Sequence, residues 1–125
     1  MIVDSDILID FTHGDPIAAD WLDRAEESSL LKVSEITVME LLVGSRNKTH
    51  MQEIIGLFKR FEVVHVDEQI SAMARALIET YFLSHGLLIG DALIASTSLM
   101  IGDGLATKNK RDFRFIKGLR MMDYP

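Results

Sequence analysis

The chain contains no cysteine. This excludes a disulfide framework, cysteine-ligated zinc and a thiol nucleophile. Two prolines and eight glycines in 125 residues leave no linker and no low-complexity tract. No apolar run approaches the roughly 20 residues of a membrane span. The most apolar stretch, residues 86–101, is interrupted by Asp91, Ser96, Thr97 and Ser98. The opening Met1-Ile2-Val3-Asp4 lacks the basic start and the roughly 7–15 apolar residues of a secretory signal. The expectation is therefore a soluble, cytoplasmic protein with no membrane association. His13, His50, His65 and His85 show no HExxH or comparable spacing and read as surface or partly buried side chains. Bases are scarce: 13 Lys and Arg stand against 19 Asp and Glu, a net charge of −6. That balance weighs against a nucleic-acid binder, which is usually basic.

What is present fits one globular domain over residues 1–125. The hydrophobic fraction is 48% and the charged fraction 26%, enough apolar surface to offset the entropy of ordering. The charges are segregated. Residues 1–27 carry eight acids and one base, Arg24, for a net of −7. Residues 108–120 carry six bases and one acid, Asp112, for a net of +5.

Periodicity places the elements. Met1–Val3 reads as a strand. Ile17, Trp21, Leu22 and Ala25 recur at helical spacing after Pro16, a good first-turn residue. Leu31–Val33 reads as a strand, and Ile36, Met39, Leu42 and Val43 mark a helix stopping at Gly44. Met51, Ile54, Ile55, Phe58 and Phe61 mark another helix, and 63–66 is a clear strand. Asp67 caps a long helix that closes near Gly86, and Asp91 opens an apolar helix through Ile101. Leu105–Thr107 and Leu119–Met122 complete the strands. Alternating strands and helices predict a parallel sheet covered by helices, whose sites lie outside the carboxyl ends of the strands.

Four acids stand out against that background. Asp4 ends the first strand, where it can also cap a turn or helix. Glu40 follows Thr37 by three residues, the spacing of a capping box. Asp112 follows Asn109 by three, so Asn109 can cap a short helix. Asp91 is different, because Leu87-Leu88-Ile89-Gly90 and Ala92-Leu93-Ile94-Ala95 surround it with apolar residues. A helix apolar on all sides is buried, and a carboxylate in it is costly unless paired or metal-bound. Ionised carboxylates gathered at strand ends repel one another. A hard divalent cation relieves that repulsion, and Mg²⁺ prefers oxygen ligands. Such a site activates water and stabilises charge on a phosphate under attack.

These segments resemble a known family. Ile2-Val3-Asp4-Ser5-Asp6-Ile7-Leu8-Ile9-Asp10 resembles the start of a PIN domain. Residues 34–44, Ser-Glu-Ile-Thr-Val-Met-Glu-Leu-Leu-Val-Gly, resemble its second acidic motif. Gly90-Asp91-Ala92-Leu93-Ile94-Ala95 resembles the third and is the most specific. Thr107-Lys108-Asn109-Lys110-Arg111-Asp112-Phe113 resembles the last. Within the family, the length and the immediate first strand are similar to VapC-type toxins of type II toxin–antitoxin pairs. The resemblance implies an α/β/α sandwich with a central, mostly parallel sheet of about five strands. It implies a Mg²⁺- or Mn²⁺-dependent endoribonuclease that hydrolyses RNA phosphodiesters by metal-activated water. Asp4, Glu40, Asp91 and Asp112 would form the acidic cluster. Asp4 and Asp91 would hold the metal, and Glu40 and Asp112 a second ion or a water. Thr107 and Asn109 would support the site. Asp6 departs from the more usual Asn and adds charge there.

The basic run, with Lys108, Lys110, Arg111 and Arg114, is expected to contact the RNA backbone. Family precedent adds a homodimer, a cognate antitoxin as inhibitor, and transfer RNA as a common target. A carboxylate pocket invites an antitoxin arginine, which pairs bidentately with carboxylates. Trp21, Phe58, Phe61 and the Tyr81-Phe82 pair are candidates for surface left over for self-association. Two other readings stand beside this one. Asp4-Ser5-Asp6 also resembles the Asp-x-Asp nucleophile motif of haloacid dehalogenase-type phosphatases, which would make the protein a phosphomonoesterase. A catalytically inactive PIN-like domain would serve as an RNA- or protein-binding module.

Overall fold

The computed structural model describes residues 1–125. Its elements run β1 (Ile2–Val3), α1 (Ser5–Thr12), α2 (Pro16–Ser28), β2 (Lys32–Ser34), α3 (Glu35–Val43), α4 (Lys48–Phe58), β3 (Glu62–Val64), α5 (Glu68–His85), α6 (Ile89–Ile101), β4 (Leu105–Ala106), a 3-10 turn (Lys110–Asp112) and β5 (Met121–Met122). The five strands form one sheet in the order β3-β2-β1-β4-β5, and every pairing is parallel. Strands this short are defined by what covers them. Side chains alternate across a strand, so Ile2 and Leu105 face one core while Val3 and Ala106 face the other. The first core joins Ile2 and Leu105 to α5, α6, Phe113 and Ile116. The second joins Val3, Val33 and Ala106 to α1, α2, α3 and α4. The result is the α/β/α sandwich expected from the alternating pattern.

Strand order fixes where a site can form. From β1 the chain builds outward through β2 and β3, then returns to lay β4 and β5 on the other side. The order therefore reverses between β1 and β4, and a crevice opens outside their carboxyl ends. Asp4 follows β1 and Thr107 follows β4 at that crevice. Asp4 N donates to Ala106 O at 2.9 Å, which extends the β1–β4 ladder to the site itself.

Several boundaries differ from expectation, each for a local reason. Helix α1 was not anticipated, because Ile7, Leu8 and Phe11 follow β1 without a turn signal. Its cap is Asp4, whose side chain accepts from Ser5 N. Helix α3 is capped by Ser34 rather than Thr37. Thr37 lies within the first turn and is fully buried, so the capping box does not form and Glu40 is free for other contacts. Helix α6 starts at Ile89, two residues before Asp91, with no side-chain cap. Asn109 precedes the 3-10 turn, but its side chain does not cap it. The strand expected at 63–66 is Glu62–Val64, an edge strand whose continuation is exposed. Phe61 falls outside α4. His50 is buried, its ring nitrogen accepting from Arg46 N at 3.1 Å.

Candidate active site

The site begins with a buried carboxylate. Asp4 is 6% exposed at the base of the crevice. One of its oxygens accepts from Ser5 N at 2.8 Å and the other from Thr107 Oγ1 at 2.7 Å. Thr107 is fully buried. Its single proton also faces Asp6 Oδ2 at 3.1 Å, so the two carboxylates compete for one donor. Burial, then the charge of Asp6, push Asp4 up to about 7, and the hydrogen bonds from Thr107 and Ser5 only partly offset this.

Asp91 sits half-buried in the first turn of α6. Burial raises its pKa to about 6, helped by the charges of Asp112, Glu40 and Asp6. Asp91 and Asp112 line the same cavity, and Glu40 and Asp6 also act on Asp91 by their charge. Glu40 is exposed at the rim. Its Oε1 lies 3.1 Å from Ser5 Oγ, which is itself 3.2 Å from Thr37 Oγ1. The Glu40 carboxylate also lies within about 4 Å of where a Gly90 side chain would begin, so α3 and α6 meet there. None of Asp4, Asp6, Glu40, Asp91 or Asp112 forms an ion pair. Acids that repel one another and form no ion pair are set up to receive positive charge.

Asp6 has a role the sequence did not reveal. Its Oδ2 accepts from Lys108 N at 3.0 Å and Asn109 N at 3.1 Å, besides facing Thr107 Oγ1. Asp6 therefore ties down the turn between β4 and the 3-10 segment that carries Asp112. Asn109 supports the site through its backbone, because its N–H also donates to Thr107 Oγ1 at 3.1 Å. Ser5 was missed as a site residue. Its position between Asp4 and Asp6, as the first residue of α1, was the only available signal.

The basic run divides. Lys108 is paired with Asp10. Arg120 lies just before β5, at the opposite end of the sheet, 3.8 Å from Asp103. Lys110, Arg111 and Arg114 remain exposed beside Asp112 without ion pairs. Most of the aromatic residues set aside for self-association are used internally. Phe58 is buried, Trp21 packs edge-on against Tyr124 and Tyr81 packs against Phe115. Phe82 remains 52% exposed.

Donor chemistry decides whether a cation fits. No three of the chain's acids and histidines stand close enough to close around one ion by themselves. Mg²⁺ does not need that, because it is commonly held by one or two carboxylates and keeps several waters. Asp4 and Asp91 supply hard anionic oxygens whose charge is otherwise uncompensated, so these residues fit such an ion. The Asp-x-Asp phosphatase reading finds no comparable support. No lysine side chain pairs with Asp4 or Asp6.

Comparison with known proteins agrees with this fold. The PIN domain family model matches residues 1–119. Ribonuclease VapC10 of Mycobacterium tuberculosis is 33% identical over 121 residues, covering 96% of this chain and 90% of that protein. A toxin–antitoxin complex from Klebsiella pneumoniae contains a chain of similar structure, with a TM-score of 0.80 and 27% identity over 94% of this chain and 93% of that one. VapBC2 from Rickettsia felis, solved on promoter DNA, matches with a TM-score of 0.83 over 99% of this chain and 98% of that chain. At 22% identity, that match speaks for the fold alone.

Proposed function

We infer the activity from one premise: the chain belongs to the PIN domain family. The reading best supported is a metal-dependent endoribonuclease that acts as the toxin of a type II toxin–antitoxin pair. The observation that carries it is the set of mutually repelling acids gathered around buried Asp4 at the crevice between β1 and β4, where Asp4 and Asp91 are held near pKa 7 and 6. The ribonuclease names of the relatives and the toxin–antitoxin title of the similar structure support the same reading.

Asp4 and Asp91 would hold Mg²⁺ or Mn²⁺, with Glu40 and Asp112 beside them. When bound, the ion makes water nucleophilic at neutral pH and stabilises charge on the phosphate oxygens. The chain's own residues do the rest. Thr107 and Ser5 N–H fix the rotamer of Asp4, so its oxygens are aimed before any ligand arrives. Ser5 Oγ orients Glu40 at the rim, where the carboxylate can accept a proton from water. Asp6 fixes the turn leading to Asp112. Lys110, Arg111 and Arg114, free of internal pairing, would meet the RNA backbone and supply the salt-dependent part of binding. The acids that hold a cation are equally suited to an arginine, so the cognate antitoxin would inhibit by placing a basic side chain there. The protein would act in the cytoplasm as a homodimer, with transfer RNA the first substrate to try.

The test is Asp91→Asn, with folding checked by circular dichroism. Wild-type protein incubated with cellular RNA should cut it only with Mg²⁺ or Mn²⁺. The variant should lose at least a hundredfold in rate, in keeping with the several kcal/mol a catalytic metal supplies. Cleavage that survives this substitution unchanged would overturn the reading. Turnover of a generic phosphomonoester without RNA cleavage would return the phosphatase alternative.

A further inference from the structure

A cavity of about 390 Å³ opens beside the acids, its lining including His85, Leu88, Asp91, Arg111, Asp112 and Phe115. Asp91 and Asp112 form one part of its lining and an aromatic stack forms another. The His85 ring lies nearly parallel to that of Phe115, 13° apart with centroids at 4.1 Å. Tyr81 packs against both, at 5.2 Å from Phe115 and 6.0 Å from His85. The stack is held from both sides. Ser84 Oγ lies 2.7 Å from His85 Nδ1, and Tyr81 OH accepts from Lys117 N at 3.1 Å. The group therefore ties the end of α5 to the segment that carries Arg111 and Asp112.

The side chains here are unusual for a protein surface. Leu88 is 66% exposed, His85 presents an imidazole already stacked on one face, and Arg111 has no carboxylate partner. An apolar wall, a flat aromatic and an unpaired guanidinium suit a planar, hydrogen-bonding group attached to a phosphate. The volume falls in the range of small-ligand pockets. Cavity and acids share Asp91 and Asp112, so a phosphate at the acids would bring its neighbouring nucleotide to the cavity.

We propose that this cavity is a base-binding subsite, in which an unpaired nucleotide flanking the scissile phosphate of RNA stacks against His85, with Arg111 on its phosphate or base edge. The proposal rests on the nuclease reading above and extends it from chemistry to sequence selection. His85 is a specificity-determining residue in this scheme. Tyr81, Phe115 and Ser84 position it.

The experiment uses the full chain, a pool of single-stranded RNA of random sequence, and Mg²⁺, with cut ends mapped by sequencing. Wild-type cuts should show a base preference at one position next to the break. His85→Ala should flatten that position and leave preferences elsewhere in place. It should also lower kcat/KM about tenfold, the order expected for loss of one base–aromatic stack. His85→Phe, which keeps a flat ring, should restore both. Arg111→Ala should raise KM more than it lowers kcat, and weaken the dependence of cleavage on salt. A merely structural role for His85 would change the melting temperature without changing the preference. An unchanged preference and rate in His85→Ala, with metal-dependent cutting intact, would overturn the subsite and leave the nuclease reading standing. Absence of any metal-dependent cleavage by wild-type protein would overturn both.

Discussion

The two ends of the sheet hold acids in opposite states. At the carboxyl end Asp4, buried, and Asp91, half-buried, stand among other carboxylates and are lifted to about 7 and 6. At the amino end Asp103 stands among cations. It pairs with the Met1 ammonium at 3.0 Å, Lys32 at 3.1 Å and Arg120 at 3.8 Å. Burial alone would raise its pKa, but hydrogen bonds from the Met1 ammonium, Lys32 and Gly104 N–H outweigh burial and hold it at about 2. The same side chain on the same sheet thus serves two ends. Asp103 is satisfied by the chain and belongs to its stability. Asp4 is met only by hydrogen bonds, neither it nor Asp91 is paired with a base, and this unrelieved charge is what a ligand can use. Strand direction produces the contrast. All five strands are parallel, so the residues just before them (Met1, Asp103, Arg120) gather at one end, and those just after them (Asp4, Thr107) at the other.

The largest expected effect comes from removing the charge at the buried end. Asp4→Asn should abolish metal-dependent cleavage and yet stabilise the metal-free protein at pH 8. The sign follows from linkage. Asp4 titrates at about 7 in the folded chain against an ordinary 3.8, so the folded state holds its proton longer. Its favourable contribution is complete below pH 4, declines as pH rises towards 7, and is flat above. The wild-type protein should therefore lose about 2–4 kcal/mol of stability across that interval without metal. The variant should lose less. Adding Mg²⁺ at pH 8 should restore wild-type stability, by about 2.7 kcal/mol at a hundred times its dissociation constant. A melting temperature that responds to neither pH nor Mg²⁺ would break the contrast between the two ends.

A smaller effect of opposite sign belongs to the other end. Asp103→Asn should destabilise the protein by about 1 kcal/mol, because these pairs are partly solvated and screened. That corresponds to about 3–5 °C in melting temperature. The loss should be full at pH 7 and shrink as pH falls below 4 towards 2, where the wild-type carboxylate is itself protonated. Cleavage should be unaffected, since Asp103 lies across the sheet from the acids.

Much of this was legible in the sequence, and the exceptions have physical causes. The alternating elements gave the sandwich, and Asp67 and Gly86 bounded α5 as their capping chemistry requires. Asp91 stood out because a lone acid in an apolar helix has few structural uses. The strand order was not legible, since parallel strands of two or three residues carry no register signal of their own. Glu40 was ambiguous because Thr37 and Glu40 have capping spacing, and only tertiary burial of Thr37 decides against it. Asp103-Gly104 has the local pattern of an Asp-Gly turn, and Gly104 N donates to the Asp103 side chain at 2.9 Å. Its ion pairs include Met1 and Lys32, distant in the sequence, which no local pattern encodes. The net charge of −6 weighed against nucleic acid for a similar reason. A sum over the chain cannot distinguish acids gathered to receive a cation from acids dispersed on a surface.

The smallest expected effect tests how the buried end is wired. Asp6 does two things that oppose each other in stability. Its charge is the largest cause after burial for the raised pKa of Asp4, which destabilises the folded chain at neutral pH. Its Oδ2 accepts from Lys108 N and Asn109 N, which stabilises the turn by roughly 1.5–3 kcal/mol for each charge-assisted bond before desolvation is counted. Asp6→Asn keeps an oxygen that can accept from the turn but removes the charge. The losses and gains should nearly cancel at pH 7, leaving a shift within about 1 kcal/mol. The cancellation has a signature that a small net change alone would not show. With Asp6 neutral, Asp4 should titrate at lower pH, so the decline in metal-free stability should still begin near pH 4 but end earlier and be smaller. Differential scanning calorimetry from pH 4 to 8 would detect this. A curve parallel to wild type would mean that Asp6 acts on the turn alone, and that burial by itself holds Asp4 protonated.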